Sequence, residues 1–231
     1  MSFLREQARN LIPQAVDNHI WSVVAHRTTP RKAALDRVSE FVAYNQIEGD
    51  YLEFGCCGAH TFRYAFDAMR ARKLKQHLYG FDSFEGLPKS DGVDVHPNFP
   101  EGTFTQSQED FERVLQNHGI NPSTYTLIKG FYREVLTQDL KRKLPLKKAA
   151  VIYIDCDLYE STREALYFVV DYLQTGTVIC FDDYFCYNGD PDRGESLAKK
   201  EFLAEHTRVS MRPYFTYGWH GKAFICKLQE P

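Results

Sequence analysis

Residues 150–157 read Ala-Val-Ile-Tyr-Ile-Asp-Cys-Asp, and residues 177–183 read Thr-Val-Ile-Cys-Phe-Asp-Asp. Each is a short, continuous apolar run that ends abruptly in two carboxylates. Runs that are apolar at every position, rather than at every second one, are expected of strands buried on both faces, as in parallel sheets covered by helices. Between the two runs, Leu166, Val169, Val170 and Leu173 recur at helical spacing, so Ser161 to Leu173 reads as a helix with one apolar stripe. Strand, helix and strand make one crossover unit. If its strands are neighbours, they lie about 4.8 Å apart, and their terminal acids converge.

The same grammar extends outward. Tyr51–Phe54 ends in Gly55, His77–Phe81 ends in Asp82, and Tyr125–Ile128 ends in Lys129-Gly130. Helical patterns separate these runs: one over 59–73, and another opened by Ser107 with Asp110 three residues on, carrying Phe111, Val114 and Leu115 on one face. Strands alternating with helices predict an α/β fold with a parallel sheet wound by right-handed crossovers. At the N-terminus, residues 1–49 read as helical. Thr29 followed by Pro30 predicts a helix start, and Leu35, Val38, Phe41 and Val42 continue at helical spacing to an end near Asn45. Two stretches are loop-like: 84–106, long enough to be a lid, and 186–195. Residues 211–228 predict two strands turning at Gly218–Gly221, a hairpin that closes the sheet.

Composition narrows the function classes. The 231 residues carry 28 Lys+Arg and 31 Asp+Glu, a formal net charge of −3, which argues against binding nucleic acid through a strong basic field. Hydrophobic residues at 43% and charged residues at 26% are ordinary for a globular chain. No apolar run approaches the ~20 residues of a membrane span, and the N-terminus lacks the apolar stretch of a signal peptide. Six cysteines form no C-x-x-C pair, which disfavours a zinc ribbon and predicts reduced thiols in a cytoplasmic protein. The eight histidines form no H-x-x-x-H cluster.

In an open parallel sheet, ligands bind beyond the carboxyl ends of the strands. Here those ends carry Gly55, Asp82, Gly130, Asp155 with Asp157, and Asp182 with Asp183. Glycines Gly55 and Gly58 after the first strand allow close approach to backbone, although a plain tight turn reads the same way. The third glycine of a dinucleotide fingerprint is absent, which counts against a nicotinamide oxidoreductase. Asp82 suits the two hydroxyls of a ribose, or equally the cap of a following turn. Four acids in one cleft repel each other, so either some are protonated or a cation neutralises them, and carboxylates without His or Cys favour a hard ion such as Mg²⁺ or Ca²⁺. The competing reading has Asp157 capping the helix near Ser161 and Asp183 capping a turn.

These motifs resemble class I S-adenosylmethionine-dependent methyltransferases, and among them the macrocin O-methyltransferase family, which methylates sugar hydroxyls. The segments GDYLEFGCCG (49–58), YGFDSFEGLP (79–88), IKGFYREVL (128–136), VIYIDCDLYEST (151–162) and FDDY (181–184) carry the likeness. Where the family often has a Trp-Arg-Gly-Gly-type turn, this chain has Cys56-Cys57-Gly58-Ala59. The resemblance implies a Rossmann-like sheet of seven strands, mostly parallel with the last antiparallel, with helices on both faces. It implies residues 1–48 as an N-terminal helical extension or lid and 49–231 as one methyltransferase domain. S-adenosylmethionine would lie across the first strand ends, against Glu53, Gly55, Gly58, Asp82, Ser83, Gly130, Phe131 and Asp155. Asp155, Asp182 and Asp183 would hold Mg²⁺, and Asp157 would serve as general base. The expected reaction is in-line methyl transfer to a hydroxyl of a small-molecule sugar or natural-product diol, with no nucleic-acid or membrane partner and homo-oligomerisation left open. The alternatives are a catechol-like metal-dependent O-methyltransferase and a non-catalytic S-adenosylmethionine-binding protein.

Overall fold

The computed structural model describes residues 14–229, with side chains from residue 29 onward. Seven strands form one sheet: β1 (Asp50–Phe54), β2 (Leu78–Asp82), β3 (Tyr125–Lys129), β4 (Ala149–Ile154), β5 (Val178–Phe181), β6 (Val209–Tyr217) and β7 (Gly221–Leu228). Their order is β3-β2-β1-β4-β5-β7-β6. The first five are parallel, and β7 runs antiparallel to both β5 and β6.

Both faces of the sheet are covered, as the continuous apolar runs require. Leu52, Phe54, Phe81, Ile152, Ile154, Ile179 and Phe181 pack on one side with helices α6 (Tyr159–Val169) and α7 (Gly194–Glu205). Tyr51, Leu78, Val151, Tyr153, Val178 and Cys180 pack on the other, against α1 (Gln14–Tyr44), α2 (His60–Ala71) and α3 (Gln108–Asn117). Ala34, Leu35, Val38 and Val42 of α1 belong to that second core. The short helices α4 (Tyr132–Val135) and α5 (Gln138–Lys143) lie between β3 and β4.

The predicted helix start at Thr29-Pro30 is overturned. Among the described residues the helix spans Gln14–Tyr44 and runs through Pro30. A proline inside a helix forfeits one backbone hydrogen bond, but a capping signal worth about 1 kcal/mol does not stop a chain whose next turns are anchored in the core. Its predicted end, near Asn45, matches. The helix read as starting at Ser161 begins two residues earlier, at Tyr159, and passes into a 3₁₀ turn over Val170–Tyr172.

Register decides where the site forms. Phe54 pairs with Phe81 and with Ile154, and Ile154 pairs with Phe181. One further ladder bond follows each strand: Gly55 N to Phe81 O at 2.9 Å, Asp155 N to Phe54 O at 2.8 Å, Asp182 N to Ile154 O at 2.8 Å and Gly130 N to Asp82 O at 2.9 Å. Lys129, Asp82, Gly55, Asp155 and Asp182 therefore stand in one row across the carboxyl edge of the sheet, with Gly130 one residue beyond it.

Candidate active site

A cavity of about 850 Å³ opens above this row. Gly55, Asp82, Ser83, Gly130, Phe131, Asp155, Asp157 and Asp183 line it. Glu53, Gly58 and Asp182, also expected at the site, do not. Glu53 is fully buried, and its carboxylate accepts hydrogen bonds from the Tyr51 hydroxyl and, at 2.7 Å, from the Thr61 hydroxyl. Gly58 donates its N–H to the Gln106 side-chain oxygen at 2.8 Å.

The glycine end is built on close approach. Gly55 has φ of +85°, and a Cβ there would lie 1.8 Å from the Asp155 carbonyl oxygen, so only glycine fits. Asp82 takes the capping role open to it in the sequence. One carboxylate oxygen accepts the Cys56 N–H and the other the Phe84 N–H, each at 2.6 Å, holding two turns while the residue faces the cavity. Burial pushes its carboxyl above the usual range, against those two hydrogen bonds.

At the acid end, Asp155, Asp182 and Asp183 each offer one oxygen within 4.8 Å of the others. Burial, then repulsion from the neighbouring aspartates, pushes Asp155 and Asp157 well above the usual carboxylate range. Asp157 is held at φ of +60°, a left-handed conformation that is sparsely populated for residues other than glycine and is concentrated at functional sites. It does not cap α6, which has no cap from its own approach segment. Instead Asp94, from the 84–106 loop, accepts the N–H groups of Tyr159 at 2.5 Å and Glu160 at 3.1 Å. The loop is pinned to the 186–195 segment as well. Tyr187 donates its hydroxyl to the Asp94 carbonyl at 3.3 Å, and Arg193 donates to the Val95 carbonyl at 2.7 Å.

Asp182 behaves differently from its neighbours. Burial pushes its carboxyl up, but the charge and hydrogen bonds of Arg31 more than offset this and hold it below the ordinary value. Arg31 Nε lies 3.0 Å and 2.9 Å from the two carboxylate oxygens, Arg31 Nη2 contacts the second, and the Tyr153 hydroxyl donates to the first. His220 donates Nδ1–H to the Asp182 carbonyl at 2.6 Å. Glu195 adds a buried acid behind the four aspartates: its Oε2 accepts the Asp183 N–H at 2.9 Å.

Arg31, Asp94, Gln106, Glu195 and His220 carry no local sequence signal. The partner of each lies on a different element, from 12 positions away for Glu195 to 151 for Arg31.

A seven-stranded sheet in this order, with an antiparallel β7 and a ligand cavity at the carboxyl edge, defines a class I methyltransferase. The family model for macrocin-O-methyltransferase (TylF) matches residues 15–203, and the chain belongs to that family. It is 28% identical over 174 residues to 8-demethyl-8-(2,3-dimethoxy-alpha-L-rhamnosyl)-tetracenomycin-C 4'-O-methyltransferase of Streptomyces olivaceus, covering 71% of this chain and 64% of that one. It is 24% identical over 194 residues to demethyldecarbamoylnovobiocin O-methyltransferase of Streptomyces niveus, covering 79% of this chain and 69% of that one. The chain thus spans about two thirds of the length of these curated relatives. The O-methyltransferase NovP has the same fold, with a TM-score of 0.69 at 21% identity over 87% of this chain and 80% of that one. Among the described residues, no helix is long and apolar enough to cross a membrane.

Proposed function

We propose that the chain transfers the methyl group of S-adenosylmethionine to a hydroxyl oxygen of a small-molecule sugar or natural-product acceptor, aided by a divalent cation such as Mg²⁺. The observation that carries this is the row of strand ends, which places a glycine and ribose-type cradle (Gly55, Asp82, Gly130) beside an acid cluster (Asp155, Asp157, Asp183) in one cavity. The relatives named above bear sugar and natural-product O-methyltransferase names, which supports the acceptor class.

The residues suit both groups. Each Asp82 oxygen takes one backbone N–H and keeps a lone pair for a ribose hydroxyl. Asp183 Oδ2 is buried without a hydrogen-bond partner, and Asp155, Asp182 and Asp183 form an all-oxygen donor set suited to a hard ion. When bound, the cofactor supplies an electrophilic methyl on a sulfonium and the cation supplies Lewis-acid stabilisation of the acceptor oxygen.

The chain's own residues do the rest. An alcohol must lose its proton as the O–methyl bond forms, and Asp157 receives it. Burial and the neighbouring Asp183 push the Asp157 carboxyl up, and a cation on Asp155, Asp182 and Asp183 would oppose that push and keep Asp157 in the ionised form that accepts a proton. Its backbone holds the carboxyl rigidly beside Asp155. Asp94, by closing the end of α6, keeps the 84–106 loop against the cavity and restricts water.

The test is methyl transfer from S-adenosylmethionine, with and without EDTA, by the parent chain and by Asp182→Asn and Asp183→Asn. We expect EDTA and each substitution to cost roughly 10²-fold or more, the scale of losing one main electrostatic contribution. Unchanged, EDTA-insensitive activity in both variants rules out the cation.

A further inference from the structure

We infer that Arg31 is a positioning residue that competes with a divalent cation for Asp182, so that the N-terminal helix sets how tightly the acid cluster holds metal. This rests on the metal reading of the site given above.

Lone-pair accounting comes first. A carboxylate has about four acceptor positions. At Asp182 three donor hydrogens are engaged: the single Arg31 Nε–H is shared between Oδ1 and Oδ2, the Tyr153 hydroxyl adds to Oδ1 and Arg31 Nη2–H to Oδ2. Asp182 is 0% exposed and has no face on the cavity, whereas Arg31 lines it. The guanidinium stands between the cavity and the carboxylate. A cation bound to Asp155 and Asp183 therefore gains Asp182 as a third ligand only when Arg31 releases it.

The second observation is charge. Five buried or half-buried acids meet here, and among the described residues no lysine and no other arginine pairs with any of them. Arg31 holds Asp182, and its Nη2 lies 3.9 Å from Asp155 Oδ1. Buried carboxylates need a compensating cation, and one guanidinium neutralises one charge. A divalent ion neutralises two and would repel the guanidinium. The sheet's two-residue period explains why Arg31 reaches the site: Tyr153 and Cys180 face the side covered by α1, and Asp155 and Asp182 continue that parity.

Competition is reciprocal: whatever factor Arg31 takes from metal affinity, bound metal takes from the Arg31–Asp182 contact. The full chain, saturated with S-adenosylhomocysteine, is titrated with Mn²⁺, and free Mn²⁺ is read by electron paramagnetic resonance. We expect Arg31→Gln to bind Mn²⁺ about tenfold or more tightly than the parent, with Arg31→Lys between them, since lysine keeps the charge but loses the planar fork. Amide hydrogen exchange over residues 29–44 is expected to rise on adding Mn²⁺ to the parent and to stay unchanged in Arg31→Gln. Equal or weaker Mn²⁺ binding in Arg31→Gln overturns the competition while leaving the metal site intact. Absence of Mn²⁺ binding in every protein removes the metal reading itself, and the inference with it. Should Arg31→Gln fail to fold, as judged by circular dichroism, Arg31→Lys against the parent decides the question in the same way.

Discussion

Glu53 sits in the middle of β1, where the apolar run gives no hint of why an acid is tolerated. The answer lies in its partners: the Tyr51 hydroxyl, two residues along the same strand, and the Thr61 hydroxyl on α2 both point at it. Burial pushes its carboxyl up to about 8, against those hydrogen bonds. The sign of the pH effect follows. Between the unfolded value of 4.5 and the folded value of about 8, the folded chain keeps a proton that the unfolded chain releases. Stability is therefore highest below that window and falls as pH rises through it, by at most about 1.4 kcal/mol per pH unit from this group. Glu53→Gln removes that contribution, so urea unfolding at pH 5, 6, 7 and 8 is expected to show a shallower decline than in the parent. Parallel declines would mean that Glu53 is ionised in the folded chain. The site acids were partly legible in the sequence. Asp155, Asp157 and Asp183 stand at the ends of apolar runs, where strand geometry alone exposes them to the cavity. Arg31 was not, because it is 151 positions from its partner and nothing local marks it.

At the scale of elements, contrast two helix starts. Ser107 caps α3 with its own hydroxyl on the Asp110 N–H at 3.1 Å, a local pairing visible in the sequence as Ser-x-x-Asp. The start of α6 is capped by Asp94, 65 positions earlier than Tyr159. No window of sequence contains both. Capping energies are about 1–2 kcal/mol, so Asp94→Ala is expected to lower the unfolding free energy by that amount. It should also weaken S-adenosylhomocysteine binding, because the same carboxylate ties the 84–106 loop over the cavity. Calorimetric titration alongside urea unfolding separates the effects. A stability loss with unchanged affinity would reduce Asp94 to a cap alone. The five parallel strands were legible because burial between helical layers demands continuous apolar runs, and each lies within one residue of its run, whereas β6 begins two residues before the expected 211. The start of α1 was misread because Thr29-Pro30 is a local signal of small magnitude, outweighed by the anchoring of residues 34–42.

For the whole molecule, register is what turns five separate strand ends into one site. The pairing of Phe54 with Phe81 and Ile154, and of Ile154 with Phe181, leaves no stagger across the central strands. A ligand spanning that row binds the folded sheet and has no counterpart in the unfolded chain. S-adenosylhomocysteine at 100 times its dissociation constant is accordingly expected to raise the unfolding free energy by about 2.7 kcal/mol. A thermal scan showing no rise in melting temperature at that ligand ratio would count against the cofactor site. By itself the sequence determined the alternation of strands and helices, the sidedness of burial and the residue types at the strand ends. These follow from short-range rules: apolar content, a period of two or 3.6, and the residue that ends each run. Only the tertiary structure decided which acids face the cavity and which is sealed behind Arg31, which loop caps α6, and that Glu195 stands behind Asp183. Those are contacts between residues from 12 to 151 positions apart, and their selection depends on how whole layers pack, which no local pattern encodes.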